Sequence, residues 1–129
     1  MANFFVYDKN ILPAGFSLPE DYLCFLHDDN LADVDPWWFL GVRKESAEFW
    51  IHELARQYPG RSLVPFARLA GSDDVACFDG SDLSGNPRVL YIHAFASQGW
   101  EDRGVECDFS SWLRSALSDH ERHHSDSKN

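Results

Sequence analysis

The hydrophobic pattern of this chain changes its period at Pro59-Gly60, and that change limits the folds open to it. Before this dipeptide, apolar residues in "KESAEFWIHELARQYPG" recur at helical spacing, and Pro59-Gly60 ends the predicted helix. After it come three short runs rich in Val, Ile, Phe and Tyr: "SLVPFARLA", "DVACFDG" and "PRVLYIHAF". Their connections, "GSDD" and "GSDLSGN", are typical of tight turns and too short for the crossover that parallel strands need. The sequence therefore predicts an antiparallel meander.

The segments on both sides of the meander are predicted to be mainly helical. "SLPEDYLCFLHDD" opens with capping-box spacing at Ser17 and Glu20 and is expected to run to about Asp29. "DPWWFLGV" is interpreted as extended, and "DFSSWLRSALSDHER" as a final helix with Asp108 as its N-cap. The predicted fold class is α+β: a single domain with an antiparallel sheet, on one face of which N-terminal helices and a C-terminal helix pack. We expect residues 1–118 to form this domain and the polar residues 119–129 to fray.

Composition places the chain among small globular proteins. Its 129 residues are 44% hydrophobic, which suits one domain with a real core. No apolar run approaches the roughly 20 residues that cross a bilayer, and "MANFFVYDKN" does not look like a secretion signal. We therefore expect a cytoplasmic protein. Cys24, Cys77 and Cys107 are widely spaced and odd in number, which favours three buried free thiols over a disulfide framework or a zinc site.

The net charge of −10 comes from two segments of the chain. Residues 10–42 and 69–87 contain acidic residues and no Lys or Arg, whereas acids and bases balance elsewhere. The second segment carries Asp73, Asp74, Asp79 and Asp82. Such segments are ordinarily solvated loops, but together they argue against nucleic acid or an anionic membrane as partner. A basic protein is the expected partner, since opposed surface potentials raise association rates.

The patterns of common active sites are missing from the sequence. It has no G-x-S-x-G turn, no H-E-x-x-H, no calcium loop and no glycine-rich phosphate loop. Glu101 and Asp102 are sequence neighbours, whereas a catalytic carboxylate pair must face each other across a substrate. We expect neither catalysis nor a metal or cofactor, although a cysteine nucleophile assisted by His93 or His52 stays open.

The tryptophans divide into core candidates and one exception. Trp38, Trp50 and Trp112 fall on apolar stripes and are predicted to be buried. Trp100 follows Gly99, precedes three charged residues and lies between the last predicted strand and the last helix. The sequence leaves two roles open for Trp100, a cap on the end of the sheet and an aromatic anchor in an interface.

Several of these segments together resemble the SUKH superfamily, which includes fungal cell-wall glucan synthesis regulators and many bacterial immunity proteins. The resemblance covers about residues 17–117 and rests on the following segments, in order: "LPEDY", "PFA", "GSDD", "CFD", then Trp100 and "FSSWL". The chain departs from the family pattern at Asn30-Leu31, where the family often has Asn-Gly. The family is defined by fold and core, so the identity of a partner does not carry over.

The resemblance implies a protein-binding domain rather than an enzyme. Bacterial members look like antidotes that bind and block a cognate toxin, and an acidic inhibitor suits a basic toxin effector domain. Our hypothesis for the contact surface comprises Asp73, Asp74, Asp79, Asp82, Trp100, Glu101 and Asp102. The first acidic segment is a rival surface, and the chain is expected to be a monomer or homodimer.

Two other classes of function stay open. One is a regulatory or scaffold module of the cell-wall regulator type, which binds a cellular protein rather than a toxin. Genomic adjacency to a large secreted toxin gene would discriminate between this module and the immunity protein. The other is a small enzyme, which a conserved, water-accessible cleft lined by His93, Asp79 and Cys77 would favour.

Overall fold

A five-stranded antiparallel sheet organises the molecule. The structure, a computed structural model, describes residues 4–27 and 33–127, with side chains as far as Arg122. The elements are α1 (Glu20–Leu26), β1 (Trp37–Phe39), a 3₁₀ turn (Leu40–Val42), α2 (Lys44–Gln57), β2 (Leu63–Leu69), β3 (Asp74–Asp79), β4 (Val89–His93), β5 (Asp102–Glu106) and α3 (Phe109–Ser127). The strands lie side by side in sequence order, and each neighbouring pair is antiparallel.

The predicted meander and fold class are confirmed, with one strand added. β2, β3 and β4 coincide with the three predicted strands, but β4 ends at His93, two residues before the predicted end at Phe95. The segment after β4, for which the sequence predicts a break, contains β5, which pairs with β4 along the sheet edge. Because Asp102 to Val105 are exposed, this strand lacks the apolar alternation that revealed the others.

Helices cover both faces of the sheet, so the expectation of one covered face was wrong. Phe78 points toward α1 and α3, where its ring contacts Tyr22 and Phe109. Arg68 pairs with Val75, whose side chain points to the opposite face from Phe78. The guanidinium of Arg68 lies 5.2 Å from the ring of Trp50 in α2, which places α2 on that opposite face.

An aromatic cluster forms the core between the sheet and the helices α1 and α3. The rings of Phe66 and Phe78 stack at 4.2 Å, and Trp112 packs edge-on against Phe66 at 4.9 Å. Phe109 and Tyr22 complete the cluster. All five side chains are at least 96% buried, so this cluster fixes the position of α3 on the sheet.

Several local predictions on the helices are corrected or confirmed by the structure. α1 begins at Glu20 after an extended Pro19 that makes no side-chain cap, so the capping box at Ser17 was wrong. Asp108 does cap α3, since its Oδ1 accepts the Ser111 N–H at 2.9 Å. α3 continues to Ser127, past its predicted end at Arg122. The predicted end of α1 near Asp29 lies outside the described residues.

Burial follows the strand phase rather than residue type. Trp37 is buried and Trp38 is 38% exposed, so the prediction of a buried Trp38 was wrong; Trp50 and Trp112 are buried as predicted. Only Cys77 among the three free thiols is buried, whereas Cys24 and Cys107 are exposed. No helix in the described ranges is both long and apolar enough to cross a bilayer.

Candidate functional site

The meander sorts the seven predicted contact residues onto two ends of the sheet. Asp74 opens β3 opposite His93, the last residue of β4, and the His93 N–H donates to the Glu101 carbonyl at 2.8 Å. The first end of the sheet therefore holds Asp73, Asp74, Trp100, Glu101 and Asp102. Asp79 closes β3 five residues after Asp74, about 16 Å away along the strand. Asp79 and Asp82 therefore belong to the second end.

At the first end, the turn before β3 is joined to the end of β4. The carbonyl of Asp73 accepts the Ala94 N–H at 2.9 Å, and Asp74 Oδ1 lies 2.7 Å from His93 Nδ1. The side chains of Asp74 and His93 are each 32% exposed. Asp73 and Asp74 are therefore partly exposed, on a backbone that is joined to the end of β4.

Glu101 is the buried acid of this end, with only 6% of its side chain exposed. Its Oε2 accepts from Arg61 Nη1 at 2.8 Å, and its Oε1 accepts the Gly99 N–H at 2.7 Å. The hydrogen bond from Arg61 lowers the pKa of Glu101 and outweighs burial, which acts in the opposite direction. Asp102 Oδ1 receives the same Arg61 Nη1 at 2.8 Å while 60% of its side chain stays exposed. Glu101 therefore anchors the chain, and Asp102 presents charge to solvent.

The loop between β4 and β5, residues 94–101, carries two exposed aromatic side chains. Trp100 is 75% exposed, so it does not cap the end of the sheet. Phe95, which sequence reasoning assigned to the strand, is 61% exposed and has a φ of 66°. An open cavity of about 220 Å³ lies beside the loop, lined by Tyr58 to Arg61 and by Gln98, Gly99 and Glu101. Sequence reasoning missed Phe95 as an exposed residue, because the apolar run of β4 continues through it without a local signal that ends the strand at His93.

At the second end, Asp79 and Asp82 organise the connection between β3 and β4. Asp79 is 7% exposed, accepts from the N–H and hydroxyl of Ser81, and forms an ion pair with Arg88. Burial alone would raise the pKa of Asp79, but the Ser81 and Arg88 contacts outweigh it and lower the pKa. Asp82 accepts the N–H groups of Ser84 and Arg88. These contacts give both carboxylates a structural role in the loop.

The residues that would favour an enzyme do not share a cleft. Cys77 is fully buried, and burial raises the pKa of its thiol, which opposes the thiolate that nucleophilic chemistry needs. Its neighbour Asp79 is bonded to Arg88, while His93 lies at the other end of the sheet beside Asp74. Within the described ranges, no group of three or more His, Cys, Asp or Glu side chains is arranged to hold a metal ion.

The first acidic segment is only partly visible. Asp28 and Asp29, like the Asn30-Leu31 departure, lie outside the described residues. In the visible part, Asp21 accepts a hydrogen bond from the Ser110 hydroxyl and so ties α1 to α3, while Asp33 Oδ1 accepts the Asp35 N–H. The role of this segment as a rival contact surface stays a prediction.

Comparison with known proteins connects this architecture to one family. Neither the curated proteins nor the solved structures gave a match. The model of the SMI1 / KNR4 family (SUKH-1) matches residues 12–115, which run from the segment before α1 into α3 and include all five strands. The match covers most of the chain and agrees with the resemblance carried by its motifs. The chain belongs to the SMI1 / KNR4 family (SUKH-1).

Proposed function

We propose that the chain is a non-enzymatic protein-binding domain, an immunity protein that binds and neutralises a basic toxin effector domain in the cytoplasm. The observation that carries the proposal is the first end of the sheet. There the partly exposed Asp74 and the exposed Asp102 lie at the same end of the sheet as the exposed Trp100. Asp73, in the turn before β3, lies at this end as well. Family membership supports a binding role of this type, since SUKH domains include immunity proteins as well as regulators of the SMI1 / KNR4 type.

The physical basis of the proposal is electrostatic steering combined with an aromatic contact. A chain of net charge −10 attracts a basic effector over distance, most strongly at low ionic strength. A toxin that acts on nucleic acid needs a basic groove for the phosphates, and an acidic surface can occupy that groove. Trp100 supplies the apolar area that charged contacts lack.

Our proposal confines the contact surface to the first end. The carboxylate oxygens of Asp79 and Asp82 accept hydrogen bonds within the loop between β3 and β4. In our proposal these two residues therefore contribute to the negative electrostatic potential of the molecule but not to direct contacts with the partner. The regulatory module remains the alternative, and no contact in the described residues favours it over the immunity protein.

Survival of cells tests the proposal. Each basic effector domain found to be encoded near this gene is induced in cells that do or do not express the chain, and growth is followed. We expect growth only with the chain present. If the neighbouring effectors kill cells equally in both cases, the immunity function is wrong.

The acidic surface is then tested by association kinetics with the same effector. The variant Asp73→Asn, Asp74→Asn, Asp102→Asn should associate roughly tenfold more slowly and show a weaker salt dependence. A matched control, Glu20→Gln, Glu45→Gln, Glu121→Gln, removes the same charge from exposed positions on the helices. Equal slowing in both variants would mean that only net charge matters and would remove the first end from the interface.

A further inference from the structure

The loop of residues 94–101 holds two exposed aromatic side chains in one fixed shape. The Phe95 N–H donates to Gln57 Oε1 at 2.6 Å, and the Tyr58 hydroxyl donates to the Ala96 carbonyl at 2.9 Å. Gln98 Nε2 donates back to the Gln57 carbonyl at 3.2 Å. Hydrogen bonds from the end of α2 therefore hold the loop at several points along its length. A loop that is already ordered loses little entropy when a partner binds it.

The rest of the loop is fixed from within. The Trp100 N–H donates to the Ser97 carbonyl at 2.9 Å, and the Gly99 N–H is held by the buried Glu101. Glu101 is in turn bonded to Arg61, shortly after α2. Trp100 thus projects into solvent from a turn that is braced on both sides, which is the arrangement expected of an interface anchor.

Phe95 occupies a backbone conformation that disfavours its own side chain. Its φ of 66° lies in the left-handed region, which a bulky residue adopts at a cost in free energy. Its ring touches Trp50 at a centroid distance of 6.2 Å, yet 61% of the residue stays exposed. Burial therefore offsets little of this cost. Such strain concentrates at binding sites, where the surrounding structure maintains it.

Charge decides which occupant the loop fits. The acidic residues at this end are Asp73, whose carbonyl accepts the Ala94 N–H, and Asp74, Glu101 and Asp102. The basic residues are Arg61, which pairs with Glu101 and Asp102, Arg68, which lies over Trp50, and Arg103 in β5. The local balance is slightly negative, and the whole chain carries −10, so a second copy would be repelled. A cationic segment is attracted both by this field and by the faces of the aromatic rings.

We propose that the loop of residues 94–101 is a preformed docking site for an arginine- or lysine-bearing segment of a partner protein, anchored by Phe95 and Trp100. The proposal deepens the proposed function and rests on it for the identity of the partner. The anchors govern how long the complex lasts, whereas the neighbouring carboxylates govern how fast it forms.

A phage-displayed library of random 12-residue peptides, selected on the wild-type chain, tests the docking site without the natural partner. We expect the enriched peptides to carry a net positive charge. Their affinity should fall at least about tenfold on Phe95→Gly and on Trp100→Ala. Leu83→Ala is the control, since Leu83 is 58% exposed in the connection at the other end of the sheet. No enrichment, uncharged peptides, or equal binding to the two loop variants would each overturn the proposal.

Thermal unfolding separates anchors from structural residues. Phe95→Gly removes the left-handed penalty, so we expect it to unfold at or above the wild-type temperature. Phe95→Asn, which tolerates the same φ, is the second variant. A marked fall in the unfolding temperature of both would show that Phe95 stabilises the fold and would remove it as an anchor.

The outcomes keep this proposal apart from the proposed function. If the selected peptides bind through Phe95 and Trp100 but the chain protects no cell from an effector, the docking site is upheld and the immunity role is refuted. Protection that survives both loop substitutions unchanged would do the reverse.

Discussion

Replacing Glu101 tests whether the first end of the sheet is held together by its buried ion pair. Glu101 makes two hydrogen bonds, from Arg61 at 2.8 Å and from the Gly99 N–H at 2.7 Å. Glu101→Ala removes both, whereas Glu101→Gln keeps the shape and can still accept the Gly99 N–H through its amide oxygen. The two variants therefore separate the charge of Glu101 from its position.

The expected loss of stability on replacing Glu101 is smaller than the loss on breaking a fully buried ion pair. Removing one partner of a buried ion pair costs about 3–5 kcal/mol because it leaves a charge unpaired. The Arg61 side chain is 29% exposed and also pairs with Asp102. Water and Asp102 therefore compensate in part for the loss of the Glu101 carboxylate. We expect Glu101→Ala to lower the free energy of unfolding by about 2 kcal/mol and Glu101→Gln by about 1 kcal/mol.

Urea unfolding at two pH values is the measurement. The folded protein lowers the pKa of Glu101 below its ordinary 4.5, so its contribution is present above that value. The contribution is lost as the pH falls through the depressed folded pKa. The difference between wild type and Glu101→Gln should therefore be full near about pH 7 and should shrink as the pH is lowered below 4.5. A Glu101→Ala loss below about 0.5 kcal/mol at neutral pH, or a difference that ignores pH, would refute the reasoning.

Three further predictions concern the core, a helix cap and the thiols. Trp112→Ala empties the centre of the aromatic cluster and should cost about 3–5 kcal/mol in urea unfolding; a loss under about 1 kcal/mol would contradict its central position. Asp108→Ala removes the cap on α3 and should lower the free energy of unfolding by about 1 kcal/mol, whereas Asp108→Asn should keep most of the stability that the cap provides. Iodoacetamide should label Cys24 and Cys107 in the native protein and reach Cys77 only in denaturant; rapid native labelling of Cys77 by mass spectrometry would disprove its burial.

The sequence predicted the central strands because their burial and their turns leave strong patterns. Leu63 to Ala67 and Val75 to Phe78 are buried on both faces and are separated by turn residues. β5 left no such pattern, because an exposed edge strand can be polar along its length. Nor could the run at Trp37-Trp38 show which ring enters the core, since an apolar run does not reveal its strand phase. Both failures have the same cause: whether a strand residue is buried depends on the elements that pack against each face of the sheet, and the strand's own sequence does not specify them.

Exposed aromatic side chains are harder still to predict from sequence than strands. Trp100 was a candidate because charged residues follow it, whereas Phe95 looked like the continuation of β4. Its exposure depends on the turn that Gln57 and Tyr58 impose from α2, about 40 residues earlier in the chain. A contact over that separation leaves no local signal.

The division of the acidic residues between two ends does follow from the sequence once the meander is accepted. Successive connections in a meander lie at alternate ends of the sheet, so the turn before β3 and the loop after β4 share an end. The connection between β3 and β4, with Asp82, must lie at the other. Carboxylates from neighbouring turns of a meander therefore cannot form one patch, however close they stand in sequence. In this chain the rule places Asp73 and Asp74 at the same end of the sheet as Trp100, so the end that we propose as the contact surface combines acidic residues with an exposed aromatic side chain.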